Sequence, residues 1–223
     1  MTKPKPKLAE NNFYDSTESE KLSFSAFRDK KDSEIWIEFK KGSRSAFIYI
    51  YNAYFTELYS YSRQFTHDLD LIKDAIQDLF IRLNDSKERL SNVDNIKFYL
   101  YKSIKREIIN VLNNRKNAEL RNAEFQALEF QYEVSYEASL IDQQIDEETI
   151  NNIKQAANNL STRQREIIFY HFFEGFSISE IKDLMSFSSV QATYNLLNRA
   201  LEQLKNVVSS LLPLLIYFIN IAK

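Results

Sequence analysis

With only two glycines and three prolines among 223 residues, this chain has almost no means of making tight turns. Two-residue hairpins need residues that tolerate positive φ, and the other common turns lean on glycine and proline. Here Gly42 and Gly175 stand alone, and the prolines are Pro4, Pro6 and Pro213. A sheet built from many hairpins is therefore excluded. What remains is an all-α protein, with helices joined by short polar turns. Hydrophobic residues at 44%, with 14% aromatic, are ample for a packed core. The length leaves room for one or two domains, at roughly 100–200 residues each.

The same scarcity extends to chemistry. There is no cysteine, so neither a disulfide framework nor a thiolate metal site can form. His67 and His171 are too few and too far apart for a zinc or iron cage, and no cofactor is expected. No nucleophile elbow or phosphate-cradling glycine loop is present, so the chain reads as a non-enzyme without a small-molecule substrate. The opening MTKPKPKLAENNFYDSTES lacks the apolar stretch of a secretory signal, which predicts a cytoplasmic protein.

Net charge is only −2, but its distribution is uneven. Between Val93 and Lys116, Lys97, Lys102, Lys105, Arg106, Arg115 and Lys116 face only Asp94 and Glu107. From Asn117 to Ile150 acids dominate: Glu119, Glu124, Glu129, Glu133, Glu137, Asp142, Asp146, Glu147 and Glu148 against Arg121. Such a reversal is expected where a binding helix gives way to a solvated linker.

Apolar spacing places the helices. Residues 1–31 are polar and predict a disordered extension. Ile35, Trp36 and Phe39 form a short leader that breaks at Lys41-Gly42-Ser43. Phe47, Ile50, Tyr51, Tyr54, Phe55, Leu58, Tyr61 and Phe65 then recur at helical intervals. A second helix spans about Asp70–Leu83, with Ile72, Ala75, Ile76, Leu79 and Leu83 inward and Asp68 or Asp70 as its cap. A third spans about Asn95–Arg115, burying Ile96, Leu100, Ile104, Ile108, Val111 and Leu112. Its other face carries Lys102, Arg106, Asn110 and Asn113, with Lys105 beside them. These helices predict a first domain over 32–116, followed by an acidic linker over 117–149.

The second domain, 150–206, carries three Ser-x-x-Glu/Gln patterns: Ser161…Gln164, Ser177…Glu180 and Ser188…Gln191. Each can satisfy two orphaned backbone donors reciprocally at a helix start. Glu174-Gly175 supplies a stop between the first two. Helices over about Thr162–Glu174, Ile178–Met185 and Ser189–Lys205 follow. The last two are joined by a turn as short as that of a helix-turn-helix. In that motif the last helix enters the DNA major groove. With Val190, Leu197, Leu201 and Leu204 inward, Ser188, Ser189, Gln191, Ala192, Asn195, Asn198 and Arg199 remain for DNA. Glutamine and asparagine can pair bidentately with adenine. An ordinary three-helix bundle with a polar face has the same pattern, and this segment alone leaves both readings open. The apolar tail, 207–223, is too short for the roughly 20 residues of a membrane-spanning helix, and Pro213 interrupts it. It can pack as an extra helix, or dock a partner.

Together the two segments resemble the extracytoplasmic-function sigma factors of bacterial RNA polymerase, of a Bacteroidetes-like kind. Asp74-Ala-Ile-Gln-Asp-Leu-Phe-Ile-Arg-Leu83 looks like that family's polymerase-docking signature. Ile96-Lys-Phe-Tyr-Leu-Tyr-Lys-Ser-Ile-Lys-Arg106 looks like its promoter-melting helix. Leu160-Ser-Thr-Arg-Gln-Arg-Glu166, Phe173-Glu-Gly-Phe-Ser177, Glu180-Ile181 and Asn198-Arg-Ala-Leu201 match its region 4 helix-turn-helix. The resemblance implies roles. Asp74, Gln77, Asp78, Phe80 and Arg82 would dock on the clamp helices of the polymerase β′ subunit. Lys102, Lys105, Arg106, Asn110 and Asn113 would face the promoter −10 element. The loop Ser86–Asn95 would hold a flipped base, with Phe98, Tyr99 and Tyr101 offering stacking. The second domain would read the −35 element, although Tyr194 and Leu196 stand where the family commonly has basic residues. Asn84 stands where it often has tryptophan.

The expected protein is thus an alternative sigma factor whose partners are RNA polymerase core, promoter DNA and an anti-sigma factor, which could hold it near the inner membrane. Two competitors fit the residues less fully: a helix-turn-helix regulator acting without polymerase core, and a degenerate sigma-like scaffold that binds only proteins.

Overall fold

The computed structural model describes residues 26–119 and 159–208, which belong to two compact units, 1–125 and 126–223. All regular structure among the described residues is helical. The acidic stretch expected as a linker and the apolar tail lie almost wholly outside them.

In the first unit, α1 (Asp32–Lys40) and α2 (Arg44–Ser62) meet at Gly42, whose φ of 92° ends one helix so that Ser43 can cap the next. The Ser43 hydroxyl accepts from the Ala46 amide. α3 (Leu69–Ser86) is followed by a single 3₁₀ turn, Lys87–Arg89, and α4 runs Ile96–Glu119. The core is the sum of one face from each helix. It includes Ile35, Trp36 and Phe39 of α1, Ile50, Leu58 and Tyr61 of α2, and Ile72, Ile76 and Phe80 of α3. From α4 come Ile96, Leu100, Tyr101, Ile104 and Ile108. Tyr61 and Tyr101 stack at 4.2 Å between ring centres and join α2 to α4. Val111 and Leu112, expected inward, are only half-buried, because the α4 stripe outruns its neighbours after Ile108. Packing also starts earlier than residue 32. Phe27 is buried, 5.5 Å from the ring of Tyr49, so an extension reaching residue 31 is too long.

The leader helix does more than its length suggests. Asp32 accepts the Ile96 amide at 2.7 Å, capping α4 from a distant element. The Trp36 indole donates to the Ser91 carbonyl at 2.9 Å and lies 5.0 Å from the Tyr99 ring. Lys40 donates to Asn92. The segment between α3 and α4 is thereby tied down along its length.

Asp68, one of the two expected caps, begins α3 by accepting the Leu71 amide at 3.0 Å, and it also accepts from Arg115 at 2.7 Å. The helix-start amide first, then the Arg115 guanidinium, hold its carboxyl below the ordinary range. A carboxyl whose folded pKa is depressed contributes stability above its unfolded value, about 3.9, and loses it as pH falls through the lower folded value. Asp68→Asn keeps the cap and removes the charge. We expect the fall in melting temperature between pH 5 and pH 2 to be shallower for that variant than for the parent.

In the second unit, α5 (Thr162–Ile168) continues into a π turn, Phe169–Phe173, and Gly175 at φ 69° stops it. α6 spans Ile178–Leu184 and α7 Val190–Val208. Two capping boxes form as read from the sequence, at Ser161/Gln164 and Ser177/Glu180. The third does not sit where its pattern placed it. The Ala192 amide donates to Ser189, one residue later than Ser188, and the helix start shifts with it. The buried stripe of α7 shifts too. Thr193, Leu197 and Ala200 are buried, whereas Val190 and Leu201 are exposed and Leu204 is half-buried. Small residues at 193 and 200 let α7 approach closely, a contribution that a search for large apolar side chains overlooks. Ser177→Ala should cost about 1 kcal/mol, read by chemical denaturation as earlier unfolding of the second unit with the first unchanged.

Candidate nucleic-acid and partner interfaces

The residues expected to meet polymerase divide into two kinds. On α3, Asp74 is exposed and Gln77 and Asp78 are half-buried at the surface. Arg82 is exposed but committed, donating to Glu107 at 2.8 Å and bridging α3 to α4. Phe80 is a correction. It is wholly buried, edge-on to Tyr51 at 4.9 Å and to Phe47 at 6.0 Å, and cannot touch a partner. Its spacing carried the signal, since Ile72, Ile76 and Phe80 follow one another at four-residue steps along the inward face.

On α4, Lys102, Arg106, Asn110 and Asn113 are all exposed. Their steps of four, four and three residues put them on one face, over a span of roughly 16 Å at 1.5 Å per residue. Lys105 is half-buried beside this row, its ammonium 5.9 Å from the Phe65 ring centre. Lys102 lies 5.7 Å from that of Phe98. Aromatic faces thus help to position both cations. Lys97 lies 5.6 Å from the Tyr101 ring centre and also pairs with Glu57 at 3.3 Å.

Of the three aromatics expected to stack on a base, Tyr101 is excluded by burial, while Phe98 and Tyr99 are half-buried. Burial raises the phenols of Tyr51, Tyr54 and Tyr99 above their usual range. Between α3 and α4, Asn84, Asp85, Ser86, Lys87, Glu88 and Arg89 line a shallow polar concavity. What the sequence did not reveal is the scaffold for this segment. Trp36, Lys40 and Asp32 reach Ser91, Asn92 and Ile96, just beyond it, from 52 to 64 residues away in the chain, which no local pattern can report.

Ser188 and Ser189, just before α7, and Gln191, Asn195, Asn198 and Arg199 on it are exposed, and Ala192 is half-buried. Gln191 donates to the Asn195 side chain at 3.0 Å, and Arg199 to the Asn195 carbonyl at 3.1 Å. These side chains are aligned along one another on the helix surface. Ser189 is occupied as the cap, and its carbonyl accepts from Thr193. Exposed Val190, Tyr194 and Leu201 run beside this polar row.

Residues 50–118 match the Sigma-70 region 2 family. The fold is similar to that of the sigma factor RpoE, solved in complex with the anti-sigma factor NepR from Bartonella quintana. That likeness has 18% identity and a TM-score of 0.50, and covers 71% of this chain and 94% of that one. It is also similar to CnrH, solved in complex with the cytosolic domain of CnrY, at 16% identity and a TM-score of 0.51, covering 80% of this chain and 97% of that one. No curated protein matches by sequence. Among the described residues no helix is long and apolar enough to cross a membrane.

Exposed and buried residues of α3 should separate cleanly in thermal melts. Asp74→Ala should change stability by no more than about 0.5 kcal/mol. Phe80→Ala should cost about 3–5 kcal/mol, because the aromatic packing against Phe47 and Tyr51 has no substitute.

Proposed function

From the premise that this chain carries a Sigma-70 region 2 domain at residues 50–118 and has the fold of extracytoplasmic-function sigma factors, we propose that it is an alternative sigma factor acting in the cytoplasm. Sigma factors are initiation factors, and the work here is binding and DNA distortion without covalent chemistry. In this reading Asp74, Gln77 and Asp78 meet the clamp helices of the polymerase β′ subunit. Arg82 supports that face through Glu107. Lys102, Lys105, Arg106, Asn110 and Asn113 meet the −10 element. The polar row of α7, from Ser188 to Arg199, reads the −35 element.

The observation that carries this reading is the exposed row on α4. Two cations and two amides lie on one face of a helix whose opposite face is buried as far as Ile108. Cations neutralise backbone phosphate and release counterions, while amides can engage unstacked bases. A melted strand needs such a surface, and a scaffold that binds only proteins does not. The α7 row, by contrast, has Arg199 and Lys205 against Glu202, which is little charge for holding DNA unaided. Its contribution suits a factor that polymerase core delivers to the promoter. The relatives captured with an anti-sigma factor and with a cytosolic domain support a protein inhibitor as a further partner.

Reconstitution tests this directly. The protein should copurify with polymerase core and support initiation on a genomic template. Arg106→Ala should leave core binding intact and reduce the salt slope of open-complex formation by about 1. Tight sequence-specific binding to duplex DNA without core, combined with no retention of core, would overturn the reading in favour of an independent regulator.

A further inference from the structure

The helix-turn-helix is held by a residue outside it. The turn from α6 to α7 places Ser186 at φ 55°, the sole positive φ among described non-glycine residues. L-residues adopt this conformation at a cost, and it needs support from its surroundings. Backbone bonds provide part of that support: Phe187 donates to the Lys182 carbonyl at 2.9 Å, and Met185 to Ile181 at 2.9 Å. The rest comes from Arg163, in the first turn of α5. Its Nη2 donates to the Met185 carbonyl at 3.1 Å, and its guanidinium carbon lies 4.7 Å from the Phe187 ring centre. One planar cation therefore grips the residues on either side of Ser186. It donates to a helix-end carbonyl, where positive charge is favoured, and lies over an aromatic ring.

The same end of α5 also holds the far part of α7. Gln164 donates to Gln203 at 3.0 Å, and Gln203 donates to the Asn159 carbonyl at 2.7 Å. The first turn of α5 and the residues just before it thus form a two-point mount. One point lies before the start of α7 and the other near Gln203. Between them stand Gln191, Asn195, Asn198 and Arg199. The buried Thr193, Leu197 and Ala200 hold the body of α7 between the two points, so losing the first would loosen the turn that leads into the helix.

We infer that Arg163 is a positioning residue for DNA reading, which sets the approach of Ser189, Gln191 and Asn195 without touching bases itself. This rests on the sigma-factor reading above. Amide exchange on the full chain tests the mount without polymerase or DNA. Arg163→Ala removes one hydrogen bond and one cation–π interaction, and should speed exchange about tenfold at the bonded amides of Met185, Ser186 and Phe187, with α5 and the last turns of α7 unchanged. Arg163→Lys can keep a donor and a positive charge but not the planar guanidinium that serves both contacts, and should fall between. In reconstituted holoenzyme on a promoter mapped for this protein, Arg163→Ala should weaken open-complex formation only when the −35 element is intact. Unchanged exchange, or exchange raised throughout the second unit, overturns the inference. So does Arg163→Lys behaving as wild type in both assays, the signature of a simple phosphate contact. If the unaltered protein supports no initiation while exchange responds locally, the sigma-factor reading fails and the mount stands.

Discussion

Burial of the aromatic side chains between α2, α3 and α4 governs the rest of the first unit. Once Tyr61 stacks on Tyr101 and Phe80 lodges against Tyr51 and Phe47, the rotation of each helix about its own axis is set. A helix buries one stripe, and everything off that stripe must face water or a partner. The exposure of Asp74 on α3 and of Lys102, Arg106, Asn110 and Asn113 on α4 follows from where the aromatics went. Core packing thus decides which side chains of α3 and α4 face outward.

That dependence explains which parts were legible in the sequence. Helix existence followed from periodicity, and two of three capping boxes formed because Ser161 and Ser177 each precede a well-spaced partner. Ser188 failed because Ser189, one residue on, offers the same hydroxyl and wins the cap. The misread stripe of α7 has a related cause. Thr193 and Ala200 bury because they are small, while Val190 and Leu201 stay out, so size and hydrophobicity pointed the wrong way. Phe80 was assigned to a partner by resemblance although its own spacing placed it inside. In both places the geometry of the helix was the better guide. The cross-chain ties of Asp32, Trp36 and Arg163 had no local trace, since each joins segments distant in sequence.

In the function proposed here, the two units would divide the work along a charge difference. The first offers a row of cations and amides on one rigid helix, suited to a flexible, unpaired strand. The second offers a nearly neutral polar row held at both ends, suited to reading edges in an intact groove. A slightly acidic protein can do both when another assembly supplies most of the positive surface. Net charge is then uninformative, and its placement on α4 is what matters.

The central claim is that α3 and α4 engage protein and DNA simultaneously. Site-specific photocrosslinking in an initiating complex measures this most directly. A crosslinker replacing Asp74 should capture the β′ subunit, and one replacing Arg106 should capture non-template DNA within the −10 element, in the same preparation. Capture of DNA from position 106 with no polymerase subunit at position 74, or of protein alone from both, would contradict the account.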